Sequence, residues 1–239
     1  METLTNLFSG FRPVATRPDV TPERVTLTPT VKGVLSASVG ECTLCNGDGW
    51  LSDGVCDCHA LRVRSMRISS ACLPNRAGQV YSVEKLAQAL NLSISRAQAT
   101  LAELCQRPAL LHLHGPNWIG KTSLAHHLAL EWCRVSGVVY RVCPDLMTDL
   151  RASIGFGGNP SQTLREMRVD PRALIFDEVG EGRSTDFTLS LYEGVIGRRL
   201  EAGLATVLIT NLSGRGELRA AVGDRCFSRL GNAQIVEMG

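Results

Sequence analysis

Residues 114–129, "HGPNWIGKTSLAHHLA", decide how the rest of this chain is read. Gly115, Gly120, Lys121 and Thr122 fit the pattern G-x-x-x-x-G-K-[ST], and the context fits as well: the apolar run "ALLHLH" precedes the loop and a helical pattern from about Lys121 to Val135 follows it. Between a strand and a helix, this loop places backbone N–H groups and a helix N-terminus around phosphates. The expected cradle is Gly115, Pro116, Asn117, Trp118, Ile119 and Gly120, continuing into Lys121, Thr122 and Ser123. Lys121 would reach the β and γ groups of ATP, and the Thr122 hydroxyl would ligate Mg²⁺. Trp118 is the departure: it stands where glycine is usual, at a position whose backbone favours glycine.

Working outward, short apolar runs alternate with helical patterns. "GVVYRV" is followed by a helix near Asp145 to Ser153, "ALIFDE" by a helix from about Asp186 to Leu200, and "ATVLIT" comes next. Strands of this kind joined by helices imply right-handed crossovers and a parallel sheet buried on both faces. The fold class expected is α/β, a three-layer P-loop domain from about residue 108 to the end. "ALIFDEVG" delivers Asp177 and Glu178 to the C-terminal end of a buried strand, where such sheets bind ligands. Asp177 would hold the Mg²⁺ and Glu178 would orient or deprotonate the attacking water. "TVLITNLS" ends at Asn211, whose amide suits a bridge between that water and the γ-phosphate. Arg225 and Arg229, four residues apart, share one helix face and would bring positive charge to a neighbouring subunit's site. "LITNLSGR" offers no asparagine-lysine-x-aspartate reader of guanine, which argues against a GTPase.

Upstream, residues 1–40 are rich in Pro, Thr and Val without helical periodicity and are expected to form an extended arm. Residues 41–62 are a module of their own. Cys42, Cys45, Cys56 and Cys58 form C-x2-C then C-x-C, two short pairs suited to one tetrahedral Zn²⁺ ion. Residues 63–107 are expected to be a helical linker: Leu86, Ala87 and Leu90, then Ile94, Ala97, Leu101 and Leu104, recur at helical spacing with a break near Asn91.

The 239 residues, 44% of them apolar, suffice for one core and a small appendage. A net charge of +2 advertises no basic tail, so any nucleic-acid contact must be local. The start "METLTNLFSGFRP" lacks the charged and apolar regions of a signal peptide, so the nine cysteines are expected to be reduced, in the cytoplasm. No apolar run is long enough to span a bilayer, and no membrane partner is expected.

Together, Gly115 to Thr122, "LIFDE", "VIGRRLEAGLATVLITNLS" and "VGDRCFSRLGNAQIV" resemble the AAA+ ATPases of the DnaC type, the bacterial and phage helicase loaders, and their relatives the IstB transposition ATPases. The resemblance spans about Ala109 to Val236. It implies that Asn211 is the sensor asparagine and Arg229 the better candidate for the arginine finger, with Arg225 beside it. It implies a head-to-tail homo-oligomer, spiral or ring, and a replicative DNA helicase as partner. It also implies single-stranded DNA contacts from the segment before "ALIFDE", where Arg151, Phe156, Arg165 and Arg168 stand. The cysteine module resembles one found in some loader-like proteins and is generally missing from IstB-type ones, which favours a loader. Its expected task is a docking surface exposing Trp50 and Leu51. A competing reading takes "LAQALNLSISRAQATLAEL" as a helix-turn-helix and Trp118 as the mark of a disabled nucleotide site, making the protein a non-hydrolytic DNA-binding adaptor.

Overall fold

A computed structural model describes residues 42–74, 81–155, 159–182, 184–212 and 214–239. The arm expected over 1–40 and the candidate DNA contact Phe156 lie outside the described residues.

The cysteine module comes first. A two-residue hairpin, β1 (Trp50–Leu51) and β2 (Gly54–Val55), pairs antiparallel and leads into α1 (Asp57–Ser70). The boundary expected near 62 therefore falls inside one continuous helix. At the end of α1, the Ala71 carbonyl accepts the Tyr140 N–H, tying the helix to the edge of the main sheet.

Two helices follow, α2 (Val83–Ala89) and α3 (Ile94–Cys105). Their break lies where the spacing predicts it, with Asn91 in the left-handed region at φ 51°. Ser82 caps α2 by accepting the Lys85 N–H. The apolar stripe is buried in the main core: Leu86, Ala97 and Leu104 are fully enclosed with Leu111, Leu113 and Leu124. The segment expected to be a linker is thus part of the domain's packing. That packing accounts for the stripe which suggested a helix-turn-helix, and the exposed face of α3 offers Arg96 as its one cation, offset by Glu103, a poor match to a DNA groove.

The remaining elements are β3 (Leu110–His114), α4 (Lys121–Trp132), β4 (Val138–Val142), α5 (Cys143–Gly155), α6 (Pro160–Val169), β5 (Ala173–Asp177), α7 (Asp186–Glu201), β6 (Thr206–Thr210), α8 (Arg215–Val222), α9 (Asp224–Leu230) and β7 (Gln234–Glu237). All five strands from β3 onward are parallel, in the order β4-β5-β6-β3-β7. Alternate residues face opposite layers. Leu111, Leu113, Ile175, Val207 and Ile209 point to α2, α3 and α4. Leu110, Leu174, Phe176 and Leu208 point to α5, α7 and α8. This is the expected three-layer α/β fold, to which the helix α6 and the edge strand β7 are added, neither announced by an apolar pattern.

One buried cation fixes the N-terminal end of this sheet. Arg199, on α7, is fully enclosed and uses all its donors. Nε donates to Thr206 Oγ1, Nη1 to the Met167 and Asp170 carbonyls, and Nη2 to the Arg172 and Ala205 carbonyls, at 2.7–3.1 Å. The guanidinium thereby ties the end of α6 to the beginnings of β5 and β6. Burial brings its pKa down to about 10, with Asp170 opposing the shift, so it stays charged at neutral pH.

Candidate nucleotide site and cysteine cluster

The loop after β3 is shaped by backbone conformations that side chains resist. Gly115 has φ 146°, and a Cβ there would come within 2.0 Å of the Met238 carbonyl oxygen. Gly120 has φ 105° and begins α4. Trp118 lies between them at φ 69°, in the left-handed region, with its ring fully exposed at the mouth of the cleft. The strain expected from the sequence is present in the backbone, yet the ring itself does not fill the cradle.

The loop opens on a cleft of about 830 Å³. Asn117, Trp118, Ile119, Gly120, Lys121, Thr122 and Ser123 line one side, and Asp177, Glu178 and Asn211 line the other. Gly115 and Pro116 meet Lys121 instead, whose Nζ donates to their carbonyl oxygens at 2.7 and 2.6 Å. Burial lowers the Lys121 pKa, and the charges of Asp177 and Glu181 pull it back up.

Asp177 is organised by three donors. Thr122 Oγ1 and the Tyr140 hydroxyl donate to Oδ2, the former at 2.9 Å, and the Glu178 N–H donates to Oδ1 at 2.9 Å. Thr122 and Asp177 are thus in direct contact, a hydroxyl and carboxylate pair of hard oxygen donors of the kind that could hold a Mg²⁺ ion. Nothing in the sequence marks Tyr140 for this role, which depends on β4 lying beside β5. Glu178 leaves the end of β5 at φ 57°, a left-handed turn that directs it outward to the cleft. Asn211, just past β6, donates to Glu181 Oε1 at 2.7 Å.

The opposite wall comes from outside the expected boundaries of the domain. Tyr81, Lys85, Gln88 and Ala89 line the same cleft. The Tyr81 ring packs against Gly120, where a Cβ would sit 3.1 Å from Cε2. Its hydroxyl is buried with no partner among the described residues, and burial pushes its pKa up to about 12. An orphaned donor in the wall of a cleft is a natural contact for a bound ligand.

With this geometry in view, the chain can be set beside known proteins. No protein-family model matches the sequence, and neither does any curated protein. Solved structures do match. The DnaC helicase loader superposes with a TM-score of 0.54 at 19% identity, over 66% of this chain and 100% of that one. DnaI gives 0.51 at 20%, over 67% and 96%. The replication initiator DnaA bound to AMPPCP and single-stranded DNA gives 0.56 at 17%, over 70% of this chain and about half, 51%, of that one. This chain shares their fold.

In this fold the candidate arginines sit away from the chain's own cleft. Arg225 pairs with Glu193 at 2.8 Å and Arg229 with Glu201 at 3.5 Å, both linking α9 to α7. The Arg229 guanidinium also lies over Gly197, where a Cβ would come within 2.9 Å of Nη1. Arg151 on α5 and Arg165 on α6 are exposed, as DNA contacts must be. Arg168 differs from the expectation. It is half-buried with its guanidinium over Gly194, 2.8 Å from where a Cβ would stand, and its Nε is enclosed. It packs α6 onto α7 instead of facing solvent.

The four cysteines converge as their spacing predicts. All four Sγ atoms lie within 4.8 Å of one another, with Cys42 to Cys56 at 3.7 Å and Cys45 to Cys58 at 3.2 Å. Tetrahedral thiolates around zinc stand about 3.8 Å apart, given a Zn–S bond of about 2.3 Å. The donor set fits that ion. Second-layer donors are also present: the Gly49 N–H to Cys45 Sγ and Arg62 Nη2 to Cys58 Sγ, both 3.2 Å. His59 does not join the converging atoms; its ring lies beside that of Trp50, with 5.9 Å between centroids. Trp50 and Leu51 are exposed as expected, together with Leu44 and Val55.

Proposed function

We propose that this protein is an ATP-hydrolysing switch of DNA replication that delivers a replicative helicase onto single-stranded DNA. The observation that carries the reading is the convergence of Lys121, Thr122, Asp177, Glu178 and Asn211 on one cleft at the C-terminal ends of β3, β5 and β6. The N–H groups at the start of α4 receive the phosphates, and Lys121 exchanges its two carbonyl partners for phosphate oxygens. Thr122 and Asp177 would hold Mg²⁺, which would supply charge neutralisation on the phosphates. Glu178 orients the attacking water. On the far wall, Tyr81 offers its hydroxyl to the remainder of the nucleotide.

The placement of Arg225 and Arg229 on α9, outside their own cleft, supports a head-to-tail assembly in which they complete a neighbour's site. Arg151 and Arg165 are the candidate contacts to DNA phosphates. The cysteine module, closed around Zn²⁺, presents Trp50 and Leu51 to the helicase. The likeness to DnaC over that structure's whole length supports a loader over an initiator, and likeness to replication proteins is in keeping with a cytoplasmic task. No helix among the described residues is long and apolar enough to cross a membrane.

The test is steady-state ATP turnover with and without single-stranded DNA, for the unaltered chain, Lys121→Ala and Glu178→Gln, followed by co-sedimentation with the hexameric helicase. DNA-stimulated turnover lost in both variants, with nucleotide still bound by Glu178→Gln, is the expected result. A chain that binds DNA and helicase with no nucleotide requirement would reject the switch and favour the adaptor.

A further inference from the structure

Glu181 belongs to no part of the site predicted from the sequence, yet it holds the amide on which that site depends. Its Oε1 accepts the Asn211 Nδ2 donor at 2.7 Å, a charge-assisted bond at the lip of the cleft. The carboxylate is exposed and lines the same cleft as Lys121, Glu178 and the phosphate loop. A γ-phosphate and this carboxylate would compete for one N–H donor, and as two anions they would repel each other.

Glu181 also has a second place to go. It separates the nucleotide cleft from a smaller cavity of about 190 Å³, whose lining includes Thr148, Arg151, Ser184 and Tyr192. The residue stands between two glycines in left-handed conformations, Gly180 at φ 86° and Gly182 at φ 90°. Gly180 is hemmed in by Leu212 and Ala221, whereas a Cβ on Gly182 would meet nothing within 4 Å among the described residues. Among those residues the turn is anchored on the Gly180 side and has more room on the Gly182 side.

We propose that Glu181 is a positioning residue that makes this site discriminate triphosphate from diphosphate. With the γ position empty, its carboxylate occupies the Asn211 amide. A γ-phosphate displaces it, takes the amide, and turns Glu181 toward the cavity where Arg151 supplies the compensating charge. The carboxylate thus acts through Asn211, and the nucleotide state reaches the α5 face through Arg151. This inference rests on the nucleotide reading given above and adds to it a residue, a partner and a direction of coupling.

The experiment measures the affinities of ADP and of the non-hydrolysable AMPPCP, with Mg²⁺, for the full chain. The variants are Glu181→Ala, Arg151→Ala, Asn211→Ala and the double Glu181→Ala/Asn211→Ala. Removing the competing carboxylate should tighten AMPPCP about tenfold and leave ADP unchanged, the scale of one charge-assisted hydrogen bond. Arg151→Ala should weaken AMPPCP alone. In the Asn211→Ala background the gain from Glu181→Ala should shrink to what charge repulsion contributes by itself, a coupling that simple loss of structure would not produce. An unchanged AMPPCP-to-ADP ratio in Glu181→Ala, with both nucleotides still bound, overturns the proposal and leaves the nucleotide reading standing. Failure of the unaltered chain to bind either nucleotide overturns both.

Discussion

The Tyr140 hydroxyl donates to the same carboxylate oxygen of Asp177 that accepts from Thr122. Tyr140 is itself buried in β4, so the outermost helical layer has no part in this contact; one strand of the sheet orients an acid on the next. The bond leaves Asp177 little freedom to rotate. Tyr140→Phe keeps the ring and removes that restraint. The Mg²⁺ concentration for half-maximal ATP turnover should rise about tenfold, as for other partners of metal-binding groups. Stability should fall by about 1 kcal/mol. A magnesium titration of the variant checks this, and an unchanged midpoint would reject it.

Trp118 bears on stability more than on binding. Its φ of 69° is unfavourable for any side chain, and its exposed ring recovers nothing by burial. Trp118→Gly should raise the stability by about 1 kcal/mol, read as a higher melting temperature, whereas Trp118→Ala, which keeps the Cβ, should gain much less. Affinity for ATP should stay within about threefold in both. A large loss of binding would mean that the ring reaches the nucleotide.

The cysteine cluster should bind one Zn²⁺ per chain, and Cys58→Ser should weaken it by removing a ligand. Burial would raise the Cys45 thiol, but hydrogen bonds from Cys58 and the Gly49 amide bring it down to about 6. Cys56 is shifted the other way: a backbone hydrogen bond at Cys58 lowers it, but burial and the neighbouring thiols push it up to about 12, so metal uptake there should release a proton and weaken as pH falls. Chelation should expose amides over 42–58 to hydrogen exchange while those of β3, β5 and β6 stay protected. Simultaneous loss of protection in both regions would show that the metal supports the whole domain.

His112 predicts the acid limit of stability. It is buried on β3, bonded to Thr210 Oγ1 at 3.0 Å, and burial together with the charge of His114 lowers its pKa to about 4. Between pH 6.5 and 4 the unfolded chain takes up a proton that the folded chain refuses, so stability falls as pH falls through that window. The loss should reach about 2 kcal/mol by pH 5 relative to neutral pH. Urea unfolding at pH 7 and pH 5, compared with His112→Asn, isolates this contribution from that of the cysteines. Parallel pH dependence in the two proteins would exclude it.

What can be read in advance follows physical lines. β3 to β6 are apolar runs enclosed on both faces, and the phosphate loop and Asp177–Glu178 lie where such strands end. β7 is invisible in the sequence because it is an edge strand of four residues with only Val236 buried. α6 escapes for a similar reason, burying only Met167 behind a polar surface. The stripe of leucine and alanine in α2 reports its buried side, whereas the cleft is lined by Lys85 and Gln88 on another side. Arg168 misleads because an arginine in a basic stretch looks the same whether it faces solvent or, as here, lies over Gly194. The partnerships of Tyr140 and Glu181 depend on strand order, which spacing along the chain does not encode.

Arg199 gives the sheet two mechanically different ends. Its five bonds gather Met167, Asp170, Arg172, Ala205 and Thr206, so the starts of β5 and β6 are riveted to α6 and α7. Asp177 and Asn211 stand at the opposite ends of those same two strands. A push delivered there by a phosphate cannot be absorbed by the strands slipping at their roots. It must be taken up by the turns beyond them, which makes the pair of strands a fulcrum and the loops after them the moving arm.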